Sequence, residues 1–341
     1  MNGKPVIFRD AKTVLNDDNE AFREKLLCGG IILNPGDACA YSCSFCYVGS
    51  MLRYLAPPVL AAHKAKTGAD LQFEDVVIRR RNAVELLRGQ LLKRDGSRRY
   101  PDDADNRVVF SSTTVDVAAN MELLRETADL CNLILEHTGW QIRLLSKSHL
   151  LHKLVAEEMI PKRHHKRLIF GFSTGTIDDR VAKAFEKGTA LVSKRLESLH
   201  WLQDHGFRTF GMICPSLPQK NYDRFSHEVC EEIRVDKCEH VWAEPINVRG
   251  DSFVRTLAAL CNAGLNAEAA RLAAVSGAGH AKAWESYSRE TFLAHTRNVP
   301  PEKLRFLQYI DGSTADWWAE RRYKGAVLLG KTARARGLAA V

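Results

Sequence analysis

Short apolar segments of strand length alternate with longer amphipathic segments along most of the chain. The apolar segments cover residues 30–33, 107–111, 141–145, 167–172, 208–214 and 240–245, and they predict six strands. The intervening segments have helical periodicity and predict helices over 82–93, 118–137, 150–159, 178–205 and 224–235. Strands separated by helices pair in parallel through right-handed crossovers. The pattern therefore predicts an α/β fold, either a partial (β/α)6 barrel or an open doubly wound sheet.

The chain of 341 residues is long enough for one barrel-sized domain with additions, or for two domains. We expect an N-terminal segment over 1–29, a barrel over 30–250, and a mostly helical C-terminal extension with a basic tail over 251–341. The 56–105 insertion is too long for a tight connection between a strand and a helix. It predicts either a functional lid or a disordered surface loop.

Composition and charge narrow the class of protein. Hydrophobic residues make up 45% of the chain and charged residues 26%, and no apolar run approaches the roughly 20 residues that cross a bilayer. We therefore expect a soluble, cytoplasmic protein. Lys and Arg number 49 against 41 Asp and Glu, and the resulting charge of +8 favours a polyanionic partner. The basic clusters at 79–81, 162–167, 321–324 and 331–336 are also typical of solvated faces.

Three cysteines, Cys39, Cys43 and Cys46, lie close together after the first predicted strand. Three thiolates in one loop suit a 4Fe-4S cluster that is ligated at three irons and leaves the fourth open to chelate a small molecule. The CX3CX2C spacing, with Phe45 before the last cysteine, resembles that of radical S-adenosylmethionine (SAM) enzymes. In that superfamily the reduced cluster cleaves SAM to methionine and a 5′-deoxyadenosyl radical, which abstracts hydrogen from a substrate.

A structural zinc site is the alternative interpretation of these cysteines, with Cys28 as the fourth thiolate. Closed zinc sites usually come as paired Cys-x2-4-Cys knuckles, and the sequence has no second knuckle. Nine cysteines spread through a chain without a secretory leader favour free thiols in a reducing compartment over disulfides.

Polar residues follow the predicted strands, at the positions where β/α barrels carry their active sites. Serines and threonines follow the second strand at 111–114, Lys147 follows the third strand, and Ser173 follows the fourth. Cys214 ends the fifth strand and Glu244 lies at the end of the sixth. SAM carries a carboxylate, an amino group and ribose hydroxyls, so a lysine and several hydroxyls suit a site for it. Each hydroxyl taken alone is also typical of a helix N-cap.

Four motifs together resemble the spore photoproduct lyase-like branch of radical SAM proteins, over about residues 30–249. They are Phe45-Cys46-Tyr47, Ser146-Lys147-Ser148, the 170–174 strand end with Asp178-Asp179 beyond it, and the 212–218 segment. The resemblance implies that Lys147 and Ser173 contact the SAM carboxylate. It also implies that Thr113 supplies the hydroxyl after the second strand and that Phe45 and Tyr47 are the aromatic residues beside the last cysteine.

The sequence departs from that branch at two points. The region before Cys39 lacks the extra segment of spore photoproduct lyase, and the second strand end, residues 111–114, lacks its thiol hydrogen donor. Cys214 could supply a replacement donor, although a free cysteine is commonly a small buried hydrophobe. Glu244, Asn247 and Arg249 either bind substrate or form a salt-bridged rim.

The sequence therefore predicts a radical SAM enzyme with a 4Fe-4S cluster and SAM as cofactors. We expect reduction by a flavodoxin or ferredoxin. We expect a nucleic-acid substrate in a lyase, repair-like or modification reaction, and a peptide or a small metabolite is the alternative substrate. The alternative function is a zinc-stabilised nucleic-acid-binding module without catalysis. The predicted iron ligands are Cys39, Cys43 and Cys46, the SAM-binding residues are Phe45, Tyr47, Thr113, Lys147 and Ser173, and the candidate catalytic residue is Cys214.

Overall fold

The structure is a computed structural model that describes residues 4–246, 251–276, 281–311 and 314–339. Within these residues the strands are β1 Val6–Arg9, β2 Leu15–Asn16, β3 Ile31–Leu33, β4 Gly36–Ala38, β5 Val77–Arg80, β6 Val108–Ser111, β7 Gln141–Ser146, β8 Leu168–Thr174, β9 Arg208–Ser216, β10 Cys238–Pro245, β11 Leu304–Tyr309 and β12 Ala326–Leu329. The α-helices are α1 Glu20–Glu24, α2 Val48–Met51, α3 Ala56–Thr67, α4 Ala83–Leu91, α5 Met121–His137, α6 Lys153–Ala156, α7 Asp179–Phe185, α8 Val192–Asp204, α9 Tyr222–Glu232, α10 Ser252–Asn262, α11 Asn266–Ala274, α12 Ala281–Asn298, α13 Ala315–Arg321 and α14 Lys331–Ala335.

A nine-stranded sheet forms the centre of the molecule, in the order β12-β11-β10-β9-β8-β7-β6-β3-β2. Neighbouring strands are parallel except β2, which pairs antiparallel with β3. The six predicted strands are β3, β6, β7, β8, β9 and β10, each within two residues of its predicted bounds. They are consecutive in the sheet, so the prediction of an α/β fold with a parallel sheet is confirmed.

The sheet is larger than the sequence predicts. In the C-terminal segment, β11 and β12 add two parallel strands beside β10. The apolar pattern of β11 is interrupted by Arg305 and Gln308, and β12 has only four residues. Strands this short and this mixed in polarity give a weak periodic signal.

The outer face of the sheet packs against the helices. Helix α5 shows why: Asn120 caps its first turn by accepting a hydrogen bond from the Leu123 N–H, at 2.9 Å. Its apolar residues then recur at helical spacing, with Leu124, Cys131 and Ile134 in the same buried cluster as the outward-facing residues of the strands.

The inner face carries the alternate residues of the same strands, because successive side chains of a strand point to opposite faces. Phe110, Phe210 and Trp242 belong to one buried cluster on this face. The N-terminal segment covers them. The Trp242 indole donates a hydrogen bond to the Lys25 carbonyl at 2.9 Å, and Arg143 donates to the carbonyl of Leu27.

A second, three-stranded sheet holds the start of the cysteine loop, which we define as residues 39–46. Its order is β1-β5-β4, and β4 ends directly before Cys39. The buried Asp37 carboxylate in β4 accepts hydrogen bonds from Arg9 at 2.5 Å and Arg80 at 2.8 Å, one from each of the other two strands. The 56–105 insertion therefore contains regular elements, α3, β5 and α4, and it contributes a strand to this sheet.

No helix in the described parts of the chain combines the length and the apolar character that crossing a membrane requires.

Candidate active site

The cysteine loop lies at the carboxyl end of the sheet and is tied to the chain around Glu186. The Ser44 N–H donates to the Phe185 carbonyl at 2.8 Å, and the Gly188 N–H donates to the Tyr41 carbonyl at 3.0 Å. Gly188 packs against the loop so closely that a Cβ there would lie 2.7 Å from the Tyr41 Cα. We call residues 185–189 the brace segment. It holds the cysteine loop by backbone contacts.

The three predicted iron ligands lie within electrostatic reach of one another. Burial raises the pKa of Cys39 to about 12, and the nearby Asp116 carboxylate and Cys46 thiol contribute to the rise. Burial is also the main cause of the raised pKa of Cys43, and the charges of Glu186, Cys39 and Cys46 raise this pKa further. The thiols are therefore neutral in the metal-free protein, and a bound cation would favour their ionised form.

The three thiols are a donor set of the kind that a 4Fe-4S cluster uses. Among the described residues, no three His, Cys, Asp or Glu side chains converge as ligands of one ion. A 4Fe-4S cluster does not require such convergence, because each thiolate binds a different iron atom. Cys28, the fourth thiolate of the zinc alternative, packs in the inner-face cluster with Ile32 and Phe110. The closed four-thiolate zinc site is therefore not formed within the described residues.

Lys147, which follows β7, reaches the predicted serine and the cysteine loop. Its Nζ donates to the Ser173 hydroxyl at 3.0 Å and to the Cys214 carbonyl at 3.4 Å. The same atom lies 5.3 Å from the centre of the Phe45 ring, in a cation–π contact. The structure thus brings Lys147, Ser173 and Phe45 together, and their SAM-binding roles stay predictions.

Glu186 is a member of this site that the sequence reasoning missed. Its carboxylate lies 2.6 Å from the Lys147 Nζ and 2.6 Å from Nη2 of Arg195, and both the Glu186 and Arg195 side chains are almost fully buried. The predicted helix over 178–205 is wrong at this point, because α7 ends at Phe185 and α8 begins only at Val192. The Gly188-Thr189 pair inside the predicted helix was the available signal, since glycine disfavours a helix interior.

Thr113 and Tyr47 contact each other, and the Thr113 hydroxyl is already bonded. The Thr113 hydroxyl donates to the Asn34 side-chain oxygen at 2.6 Å, and Thr113 is buried. The Tyr47 hydroxyl donates to the Thr113 carbonyl at 2.7 Å. Tyr47 is half exposed, so its ring remains accessible at the edge of the site. The SAM-binding roles of both residues stay predictions.

Asp116, in the segment between β6 and α5, holds the backbone at Lys147 in place. Its carboxylate accepts from the Lys147 N–H at 2.7 Å, from the Ser146 hydroxyl at 2.7 Å and from the Ala118 N–H at 2.9 Å. Burial raises the pKa of Asp116, although these hydrogen bonds act in the opposite direction.

Cys214 lies in a half-buried polar cluster beside Lys147. Its thiol contacts the Glu244 carboxylate at 3.7 Å, and burial, followed by the Glu244 charge, raises the pKa of this thiol. Lys25 and Tyr309 complete the cluster, with the Lys25 Nζ 5.7 Å from the centre of the Tyr309 ring. Burial acts to lower the pKa of Lys25, but Glu244, Tyr309 and Tyr47 raise it overall. Asn247 and Arg249 lie outside the described residues.

Two of the predicted basic clusters, at 79–81 and 331–336, are partly neutralised by carboxylates. Two of the three arginines at 79–81 are largely buried against acidic side chains, and the C-terminal tail is also paired. The ion pairs are Arg79–Glu122, Arg79–Glu126, Arg80–Asp37, Arg81–Asp10, Arg334–Glu24 and Arg336–Asp316. These clusters therefore do not by themselves define a nucleic-acid interface.

The fold and the site define a mixed α/β protein with a thiol loop and a half-buried lysine at the carboxyl ends of parallel strands. No known family profile matches the chain, and no curated protein is significantly similar to it.

Solved structures of spore photoproduct lyase are similar to the chain. A double mutant of that enzyme with bound AdoMet and dinucleoside spore photoproduct is 13% identical, with a TM-score of 0.49 over 74% of this chain and 66% of that chain. The lyase complexed with dinucleoside spore photoproduct is 12% identical, with a TM-score of 0.48 and the same coverage of both chains. The chain thus spans about two thirds of the length of these lyases.

Proposed function

We propose that this protein is a radical SAM enzyme in which Cys39, Cys43 and Cys46 hold a 4Fe-4S cluster on a partial barrel of that superfamily's type. The observation that carries the proposal is the contact between the cysteine loop and Lys147. The Lys147 Nζ lies 5.3 Å from the centre of the Phe45 ring, in the loop that carries the three cysteines. Burial raises the pKa of Cys43 and of Cys46, and the Lys147 charge acts in the opposite direction, so the ammonium lies within electrostatic reach of both thiols. A carboxylate-bearing ligand bound at an open iron would find this cation beside it.

When bound, the reduced cluster supplies the electron that cleaves SAM to methionine and a 5′-deoxyadenosyl radical. In this proposal Lys147 binds the SAM carboxylate, Ser173 orients the Lys147 amine, and the Phe45 ring excludes water from that contact. Tyr47 and Thr113, which contact each other through the Tyr47 hydroxyl, complete the SAM site in this proposal. Cys214 holds a transferable hydrogen atom at Sγ, next to Glu244.

The proposed substrate is a nucleic acid, in a lyase, repair-like or modification reaction. The charge of +8 and the motif resemblance support this choice. The polar cluster around Cys214, Glu244 and Lys25 would contact the substrate, because it lies beside the Lys147 amine at the carboxyl ends of the strands. A cytoplasmic flavodoxin or ferredoxin would supply the electron.

Replacing Cys43 with Ala tests the ligand assignment. After anaerobic reconstitution, we expect the wild-type protein to hold about four irons and four sulfides per chain and to release 5′-deoxyadenosine when dithionite and SAM are added. The C43A variant should lose the cluster absorbance and the product together. The exposed Cys261 provides the control, since C261A should keep both. A C43A variant that still cleaves SAM would refute the assignment.

Metal content and product analysis also decide between the enzyme and its alternatives. One zinc per chain with no iron would favour the zinc-stabilised binding module. For the iron-loaded protein, 5′-deoxyadenosine release is measured alone and then with duplex DNA, RNA and cell metabolites. Stimulation by a nucleic acid supports the proposed substrate, whereas stimulation only by metabolites overturns it.

A further inference from the structure

We propose that Glu186, held by Arg195, is a positioning residue that orients the Lys147 amine toward the carboxylate of SAM. The inference rests on the proposed function and deepens it, because it names the residues that set the affinity for the carboxylate end of SAM.

Hydrogen-bond geometry provides the first step. A lysine ammonium has three N–H donors, and Lys147 directs them at Glu186 at 2.6 Å, Ser173 at 3.0 Å and the Cys214 carbonyl at 3.4 Å. The contact with the Cys214 carbonyl is the longest, so it is the one that a ligand carboxylate replaces at the lowest cost. The bonds to Glu186 and Ser173 then fix the direction of the third N–H.

Arg195 fixes Glu186 in turn. Its side chain is 1% exposed, and it contacts the Glu186 carboxylate, the Ala190 carbonyl at 2.9 Å and the Ser173 carbonyl at 3.0 Å. Arg195 therefore holds the Glu186 carboxylate, which orients Lys147, and the backbone of Ser173, whose hydroxyl accepts a hydrogen bond from the Lys147 amine. A guanidinium with this many fixed acceptors has little freedom to reorient.

The charges of the three side chains provide the second step. Lys147 and Arg195 are cations and Glu186 is an anion, so the buried group carries one net positive charge. One SAM carboxylate neutralises that charge. Without the Glu186 charge, the Lys147 and Arg195 cations would repel each other without compensation, so the Lys147 amine would leave the position in which it meets the carboxylate.

The position of Glu186 in the chain provides the third step. It lies in the brace segment, between Phe185 and Gly188, whose backbone groups bond to the cysteine loop. The same short segment thus sets the position of the thiols and of the lysine amine. A ligand that bridges an open iron and Lys147 would be positioned at both ends by this segment.

The test compares Glu186→Gln with the wild type in binding two ligands to the reconstituted holoprotein. The ligands are SAM and decarboxylated SAM, which lacks only the carboxylate that Lys147 would bind. We expect E186Q to bind SAM about tenfold to a hundredfold more weakly, the range of one hydrogen bond to a charged group. Its affinity for decarboxylated SAM should stay within about twofold of the wild-type value, because the amide keeps the shape of the carboxylate.

A double-mutant cycle separates positioning from structural damage. In a Lys147→Met background the Glu186→Gln change should have no further effect on SAM affinity. Glu197→Gln is the matched control, because Glu197 lies on α8 in an exposed pair with Lys194. Iron content is measured for every variant. Equal loss of both ligands in E186Q, or additive loss in the double variant, would overturn the inference. Wild-type protein that binds both ligands equally would instead overturn the role of Lys147 in the proposed function.

Discussion

Gly188→Ala is the substitution that tests most directly how the brace segment holds the cysteine loop. A Cβ at this position would lie 2.7 Å from the Tyr41 Cα, 2.8 Å from the Tyr41 carbonyl oxygen and 3.0 Å from the Ala40 carbonyl oxygen. All three atoms belong to the backbone, so no side-chain rotation relieves the overlap. The loop and the brace must separate by several tenths of an ångström.

The expected cost follows from two contributions. Overpacking of this kind costs about 1–3 kcal/mol. The separation also weakens the Gly188 N–H bond to the Tyr41 carbonyl, which adds about 1 kcal/mol. We therefore expect G188A to lower the free energy of unfolding by about 2–4 kcal/mol. Since the displaced loop carries the thiols, iron uptake should fall as well.

Urea unfolding and iron analysis measure the two effects. The midpoint should fall with an unchanged denaturant dependence, which indicates a loss of stability rather than a change in compactness. Gly89→Ala is the control, because Gly89 lies in α4 with no atom within 4 Å of the added Cβ. Removing a helical glycine should stabilise the protein by about 0.5–1 kcal/mol. If G188A unfolds at the wild-type midpoint and takes up the wild-type amount of iron, the brace segment does not position the loop.

Two further predictions concern a surface carboxylate and the candidate hydrogen donor. Hydrogen bonds from Arg107 and Trp140 hold the pKa of Asp105 at about 2, so its charge stabilises the protein above about pH 4 and this stabilisation is lost as the pH falls toward 2. Asp105→Asn should lower the free energy of unfolding at pH 7 by about 1–2 kcal/mol, a value discounted for the exposure of Arg107. The difference in urea midpoint between the variant and the wild type should close below pH 4. A difference that stays constant with pH would contradict this prediction. Cys214→Ala should keep SAM cleavage but abolish substrate turnover, with C261A as the control; normal turnover would exclude a donor role.

The sequence predicts the parallel sheet well because its strands have two physical signatures. They are short and apolar, and they are followed by polar or turn-forming residues that cannot continue the strand. In β8 every residue is buried, and the strand ends at Ser173 and Thr174. Such runs are typical of parallel strands covered on both faces, and their order along the chain fixes which strands are neighbours.

Two parts of the molecule could not be predicted in this way. The added strands β11 and β12 are stabilised by pairing with β10 and with each other, a tertiary effect that short polar-apolar segments do not reveal. The Gly188-Thr189 pair signals a break in the predicted helix, but nothing in the local sequence marks Glu186 as a partner of Lys147. The role of Glu186 depends on Lys147 and Arg195, one of which is 39 residues away along the chain. A partner at that separation is found only once the strands bring the two residues together.

The residues of the proposed SAM site and those of the proposed substrate site come from different parts of the chain. The thiols and Lys147 follow strands of the predicted barrel, and the brace segment lies between two of its helices. Lys25, by contrast, comes from the segment after α1, and Tyr309 comes from the added strand β11. Both face the Cys214 and Glu244 side of the site. If additions outside the six predicted strands determine the substrate, replacing Lys25 or Tyr309 should change substrate turnover. The release of 5′-deoxyadenosine without substrate should stay as in the wild type. Loss of that basal release would show that these residues belong to the SAM site instead.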